Sequence, residues 1–170
     1  RNSLHPLYAI SSKTTSYPDL GKACFTIEGS NAHLAELKAL FSEMGNTVVA
    51  ISPDSKALYH AAAVMVSNQI VALCCFSEAA AAEALSPLLL GNAQSVAEKG
   101  AVNALTGPIE RGDAQTVSKH LQEIRKFAAE STVGQDILTA YTALSKQLIR
   151  IAQQKHPHKD YKHLEKELEQ

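Results

Sequence analysis

The side chains best suited to chemistry sit where polarity is least expected. The stretch from Asp54 to Phe76 is apolar nearly all round, yet it contains Lys56, His60, Ser67, Asn68 and Gln69. Polar groups buried in such a helix must be paired, or each costs about 1–3 kcal/mol. At about 100° per residue, His60 and Ser67 differ by only about 20°, and Asn68 lies about 80° from His60. Lys56 is one turn before His60. These side chains can line one edge of a cleft and offer a ligand a cation, an acid–base group and amide donors. The same residues would serve equally as hydrogen-bond partners of neighbouring helices. Histidine is the side chain that titrates near neutral pH, which makes His60 the candidate proton donor or carbonyl-polarising group.

A second constellation is Ala104-Leu105-Thr106-Gly107-Pro108-Ile109-Glu110-Arg111-Gly112-Asp113. Gly and Pro set a tight turn that delivers Thr106 and Arg111 beside a helix start. A guanidinium suits a carboxylate or phosphate through paired hydrogen bonds. The plain alternative is a helix–helix connection with Asp113 as its cap. No Gly-Lys-Ser/Thr follows these glycines, so the turn is not a phosphate-binding P-loop. His156, His158 and His163 lack the carboxylate or cysteine spacing of a metal site and read as part of a solvated tail. No metal site and no Ser-His-Asp triad can be read.

The elements that must position these residues change character along the chain. Leu4–Ile10, Ala23–Ile27 and Thr47–Ile51 are short strand-like runs. Between the last two lies a helix with Asn31 as N-cap, an apolar stripe of Leu34, Leu37, Leu40, Phe41 and Met44, and Gly45 as its stop. From Ser52-Pro53-Asp54 onward the pattern is all helix. One helix runs to about Phe76 and is expected to be buried on every side. Ser86-Pro87 opens another, which ends near Gly100, and Asp113 caps a third through about Ala129. Thr132 to Gln135 resembles a capping box ahead of a helix with Ile137, Leu138, Tyr141, Leu144, Leu148 and Ile151 on one face. Pro157 stops it. The expected division is residues 1–52 as α/β, 53–156 as helical, and 157–170 as a charged tail helix.

Composition narrows the function classes. Sixteen Lys+Arg against 17 Asp+Glu give a net charge of -1, which removes the electrostatic case for nucleic acid or an anionic membrane surface. Apolar residues at 45% and charged residues at 19% rule out a disordered chain. Cys24, Cys74 and Cys75 form no disulfide framework or CxxC pair, so a reduced cytoplasmic protein with buried thiols is expected. The run Ala61–Phe76 is broken by Ser67-Asn68-Gln69 and is expected to fall short of a membrane span. Three strands and one helix are too few to cover both faces of an α/β sheet, so further sequence upstream is expected.

His5-Pro6-Leu7, Phe25-Thr26-Ile27-Glu28-Gly29, Tyr59-His60-Ala61-Ala62-Ala63-Val64 with Ser67-Asn68, and the 104–113 turn with His120-Leu121 occur in this order. Together they resemble the two-domain Rossmann-like proteins with a C-terminal domain of unknown function. Those proteins are similar in plan to ketopantoate reductase, pyrroline-carboxylate reductase and the 6-phosphogluconate dehydrogenase superfamily. The resemblance spans about Leu4 to Ala152. It implies a mainly α chain: a helical 6-phosphogluconate-dehydrogenase-like domain that dimerises, preceded by the last strands and helix of a Rossmann-like domain. It also implies NADP as cofactor, with His5 and Pro6 near the nicotinamide. The GxGxxG pyrophosphate turn of such domains is missing from this sequence.

The expected function is that of the C-terminal portion of an NADP-dependent oxidoreductase, moving hydride to or from a small carbonyl or imine compound. In that scheme His60, Asn68 and Lys56 are catalytic, and Ser67, Thr106 and Arg111 bind substrate. The alternative is a non-catalytic dimeric module that binds a dinucleotide or metabolite.

Overall fold

The computed structural model describes residues 3–8, 12, 17–29, 31–76 and 79–169. They form a mainly helical chain with one small sheet. By contacts the chain makes two compact units, Arg1–Cys75 and Phe76–Gln170. The first long helix is therefore grouped with the strands.

In the first unit, β1 (Ser3–Leu7), β2 (Cys24–Glu28) and β3 (Thr47–Ala50) make a three-stranded sheet in that order. β1 runs antiparallel to β2, with His5 opposite Thr26, and β2 runs parallel to β3. A parallel pair needs a crossover, supplied here by α1 (Asn31–Glu43). Ala9 and Ile10, at the end of the first expected strand, and the side chain of Asn31 lie outside the described residues.

Side chains alternate along a strand. Phe25 and Ile27 thus share one face of β2 and pack with Ala23, Val48, Leu34, Leu37 and Phe41. Leu40 and Met44 do not join this core; both are exposed, because the stripe that meets the sheet is narrower than the sequence pattern. Asn46 is buried and donates to the carbonyls of Leu20 (2.8 Å) and Ala23 (3.1 Å), tying the end of α1 to the approach to β2.

Cys24, Thr26 and Glu28 face the other way. A 3₁₀ turn at Pro53–Ser55, capped by the Ser52 hydroxyl accepting from Asp54 N–H, leads into α2 (Lys56–Val64). A π turn at Met65–Gln69 follows, then α3 (Ile70–Cys75). The expectation that this helix is buried on all sides fails: none of its residues is buried, and Leu58 and Val66 are each 77% exposed. Cys74 and Cys75 are exposed thiols and Cys24 a half-buried one, against the expectation of buried cysteines. The polar triplet does not shorten the run either. Pro53–Cys75 is one 23-residue helix, long and apolar enough by length and composition to cross a membrane, with mean hydropathy 1.5 over its most apolar window.

The second unit opens with α4 (Ala79–Ala104). Pro87 lies inside α4 rather than at its start, and the backbone leaves helical geometry at Gly100 (φ 74°, ψ 162°) before the last turn. The short α5 (Pro108–Arg111) ends at Gly112, whose left-handed φ of 71° suits glycine. Asp113 caps α6 (Ala114–Glu130) by accepting from Thr116 N–H at 3.0 Å and its hydroxyl at 2.7 Å. Those two bonds hold the Asp113 carboxyl below its ordinary range.

The cap of α7 (Thr132–Lys155) is Ser131, one residue earlier than the sequence suggests, accepting from Gly134 N–H. On α7 the fully buried apolar positions are Ile149 and Ala152, with Leu138, Tyr141 and Leu148 packed against them, while Leu144 is exposed. Far from being a solvated tail, the C-terminal segment completes this core. Tyr161, at 1% exposure, and Leu164 and Leu168 of α8 (Lys162–Glu169) pack with Ile109, Val117, Leu121 and Ile149.

Candidate functional site

Strand β1 and the α2 helix with its π turn line an open cavity of about 690 Å³ in the first unit. β1 contributes His5, Pro6 and Leu7, followed by Tyr8. The helix contributes Tyr59, His60, Ala62, Ala63, Val64, Val66, Ser67 and Asn68. Its walls are mainly apolar, with a few convergent polar groups, the usual make-up of a small-molecule site. The rings of His5 and His60 meet edge to face, with centroids 6.4 Å apart and planes at 82°.

The π turn changes the angular argument made from sequence. A π turn holds roughly one residue more than an α turn, so each residue advances only about 80° rather than 100°. Asn68 is thereby brought to within about 30° of His60, and Ser67 is carried about 55° to the other side. Both still line the cavity, two turns beyond the histidine. The Ser67 hydroxyl donates to the Ala63 carbonyl at 2.8 Å and lies 3.1 Å from Asn68 Oδ1. That bond holds the pair against the helix wall.

Lys56 is not brought to the cavity. Its ammonium is paired with the Glu28 carboxylate on the back face of β2, which makes it a strut between helix and sheet. Tyr59, one turn further on, lies on that same helix face, and its hydroxyl is buried with no hydrogen-bond partner. Burial raises the phenol above its ordinary range, with Thr26 and Cys24 as its neighbours. Leaving such a group unpaired costs about 1–3 kcal/mol. The sequence singles out Tyr59 only as part of a motif; its i, i+3 spacing from Lys56 is the signal that sets the two on one helix face.

Thr106 and Arg111 belong to the second unit, where both are exposed. Their turn is held by the C-terminal segment through one contact after another. Lys155 Nζ donates to Leu105 O (2.8 Å), Tyr161 Oη to Glu110 O (2.8 Å), and Lys159 Nζ to Arg111 O (2.7 Å). His163 Nε2 lies 2.9 Å from Gly112 O, and His156 Nε2 lies 2.6 Å from Glu110 Oε1. The hydrogen bond from His156 and the charge of nearby Lys155 hold the Glu110 carboxyl below its ordinary range, against a smaller opposing effect of burial. Two of the three tail histidines are thus structural partners of the turn. Among the described residues no group of three His, Cys, Asp or Glu side chains is placed to hold a metal.

No curated protein matches the sequence. Among solved structures, that of protein TM1727 from Thermotoga maritima is similar, with a TM-score of 0.71 and 25% identity over 91% of this chain. The chain spans 62% of the length of that protein. A family model described as "Domain of unknown function (DUF2520)" matches residues 23–148, which carry α2 with its π turn, the 104–113 turn and most of α7. This chain belongs to the DUF2520 family.

Proposed function

We propose that this chain is the C-terminal part of an NADP-dependent oxidoreductase that acts by hydride transfer on a small carbonyl or imine compound. The observation that carries the reading is the cavity lined by His60, set against His5, and, two turns further along the helix, by Ser67 and Asn68 on a π turn. Rare π turns occur often at functional sites.

The dinucleotide itself does not fit the residues in hand. These residues carry no GxGxxG pyrophosphate turn. Hydride chemistry would come from a cofactor held elsewhere in a longer protein. What this chain supplies is proton handling and orientation. His60 holds or delivers the proton at the substrate oxygen or nitrogen, the Asn68 amide orients the same atom, and Ala62, Ala63, Val64 and Val66 give the substrate an apolar wall to pack on. Lys56 acts as a strut to Glu28 rather than as a catalytic group. Arg111 and Thr106 remain candidates for holding an acidic part of the substrate.

The exposed apolar helix Pro53–Cys75 supports a homodimer, with a second copy as its cover. A bilayer is the poorer cover, because His60, Ser67 and Asn68 on the same helix would then lie in hydrocarbon. A second reading is a non-catalytic dimeric binding module, for which the mainly apolar cavity would be the binding site.

Fluorescence titration of NADPH against this chain and against the protein expressed from its natural start codon tests both. Binding to the longer form alone, with carbonyl-dependent NADPH oxidation that His60→Ala abolishes, supports the oxidoreductase. Binding without turnover across a carbonyl panel supports the module. No binding to either form sinks the oxidoreductase reading.

A further inference from the structure

Beneath the His5–His60 pair lies a set of hydroxyl groups that neither reading uses. His5 and Thr26 are register partners across β1 and β2, so their side chains stand on the same face of the sheet. Thr26 is 3% exposed, and its hydroxyl donates to the His5 carbonyl at 3.4 Å. Tyr59 comes to this face from α2, with its hydroxyl buried, unpaired and next to Thr26. Lys56, three residues before Tyr59, pairs with Glu28, two residues beyond Thr26 on the same face of β2. The helix is therefore anchored to the sheet one turn before Tyr59.

Proton accounting fixes the direction of the one bond left to complete. The single Thr26 proton is directed at His5 O, so Thr26 Oγ1 has lone pairs to offer but no donor. The Tyr59 phenol has a proton without an acceptor. We infer that Tyr59 and Thr26 form a buried relay, Tyr59 O–H to Thr26 Oγ1 and Thr26 O–H to His5 O, that fixes the backbone of His5 and so sets its ring against His60. Tyr59 is then a positioning residue rather than a catalytic one: its oxygen is buried and acts on the cavity through Thr26 and the His5 backbone. The need for such a device is visible in β1. It is a five-residue edge strand, His5 is exposed, and Pro6 has no N–H to give the ladder. The orientation of the His5 ring depends on how well that backbone is held.

The inference rests on the reading of the cavity as the site, yet its test needs no cofactor. The full chain, with ¹⁵N and ¹³C in its histidines, is examined by NMR for cross-peaks between the His5 and His60 rings and for the His5 amide shift. Tyr59→Phe removes one oxygen and should erase the inter-ring cross-peaks and move the His5 amide, with the helical circular dichroism intact. Thr26→Val should do the same, Thr26→Ser should restore the wild-type pattern, and the double variant Tyr59→Phe/Thr26→Val should change nothing further. Unchanged inter-ring cross-peaks in Tyr59→Phe overturn the relay. So do Tyr59→Phe and Thr26→Val effects that simply add, and so does failure of Thr26→Ser to restore the pattern. Should Tyr59→Phe fail to fold, the Thr26→Val and Thr26→Ser pair decides alone. NADPH binding or its absence leaves every one of these outcomes readable.

Discussion

Removing the hydroxyl of Tyr161, and then its ring, measures how much of the second unit depends on its C-terminal segment. The ring is 1% exposed within the core of that unit, and the hydroxyl donates to Glu110 O at 2.8 Å. In Tyr161→Phe that carbonyl keeps only a long contact from Lys159 Nζ at 3.4 Å. Losing a buried hydrogen bond and leaving its acceptor underpaired costs about 1–2 kcal/mol. Tyr161→Ala also opens a cavity among Ile109, Leu121 and Leu164, for which large aromatic truncations cost about 3–5 kcal/mol. For a unit of this size each kcal/mol lowers the midpoint by about 4–8 °C. Thermal and urea unfolding followed by circular dichroism should therefore place Tyr161→Phe some 5–15 °C below wild type, with Tyr161→Ala far lower still. Trypsin should then cut at Lys155 and Lys159 in the variants before it does so in wild type. A Tyr161→Ala chain that melts within about 2 °C of wild type would refute the docking of this segment and restore the picture of a solvated tail.

Three further outcomes follow from particular contacts. The Glu110 carboxyl, lowered chiefly by its bond to His156, adds stability that is complete above the unfolded value and is lost as pH falls through the lower folded one. Glu110→Gln should therefore flatten the acid limb of the stability–pH curve, and an unchanged limb counts against the pair. At Gly134 an added Cβ would lie 2.5 Å from Phe127 O and 2.7 Å from Ala128 N, both backbone atoms of α6. Gly134→Ala should accordingly cost about 1–3 kcal/mol as the two helices are forced apart, and a neutral result in urea titration contradicts that close approach. Leu58→Lys and Val66→Glu, placed at the two most exposed large apolar side chains of the first unit, should convert a dimer to monomer in sedimentation velocity, whereas a monomeric wild type removes the second copy as cover.

The two units differ in how far their sequence reveals them. In the second, punctuation is local around α6 and α7: Asp113 caps α6 and Pro157 follows the end of α7, so the boundaries of these two helices fall within a residue or two of expectation. What escaped there is long-range. Nothing in His156 or His163 announces that their partners lie at Glu110 and Gly112, 46 and 51 residues earlier. In α4, a proline that reads as a start lies inside the helix, because the first-turn preference of proline is a tendency that tertiary packing overrides. In the first unit, the crossover β2–α1–β3 is legible from alternation and helix periodicity. The burial of the next helix is not, since hydropathy records how apolar a surface is and not what covers it.

That distinction also bears on the site. Val66 lies in the cavity wall and is 77% exposed, so the apolar surface of Pro53–Cys75 and the wall of the cavity are parts of one helix rather than separate features. Polar residues inside an apolar run carried the sequence argument, and the π turn falls on those same residues, Met65 to Gln69. A straight helix would leave Asn68 about 80° from His60; the widened turn brings the amide round to the side of the helix that carries the imidazole, two turns further along. A cover that rigidified this helix from outside would hold the π turn, and with it the placement of His60 and Asn68. Assembly and site are then coupled through a single element, and a variant such as Leu58→Lys, outside the cavity, would be expected to weaken ligand binding in proportion to the dimer it removes.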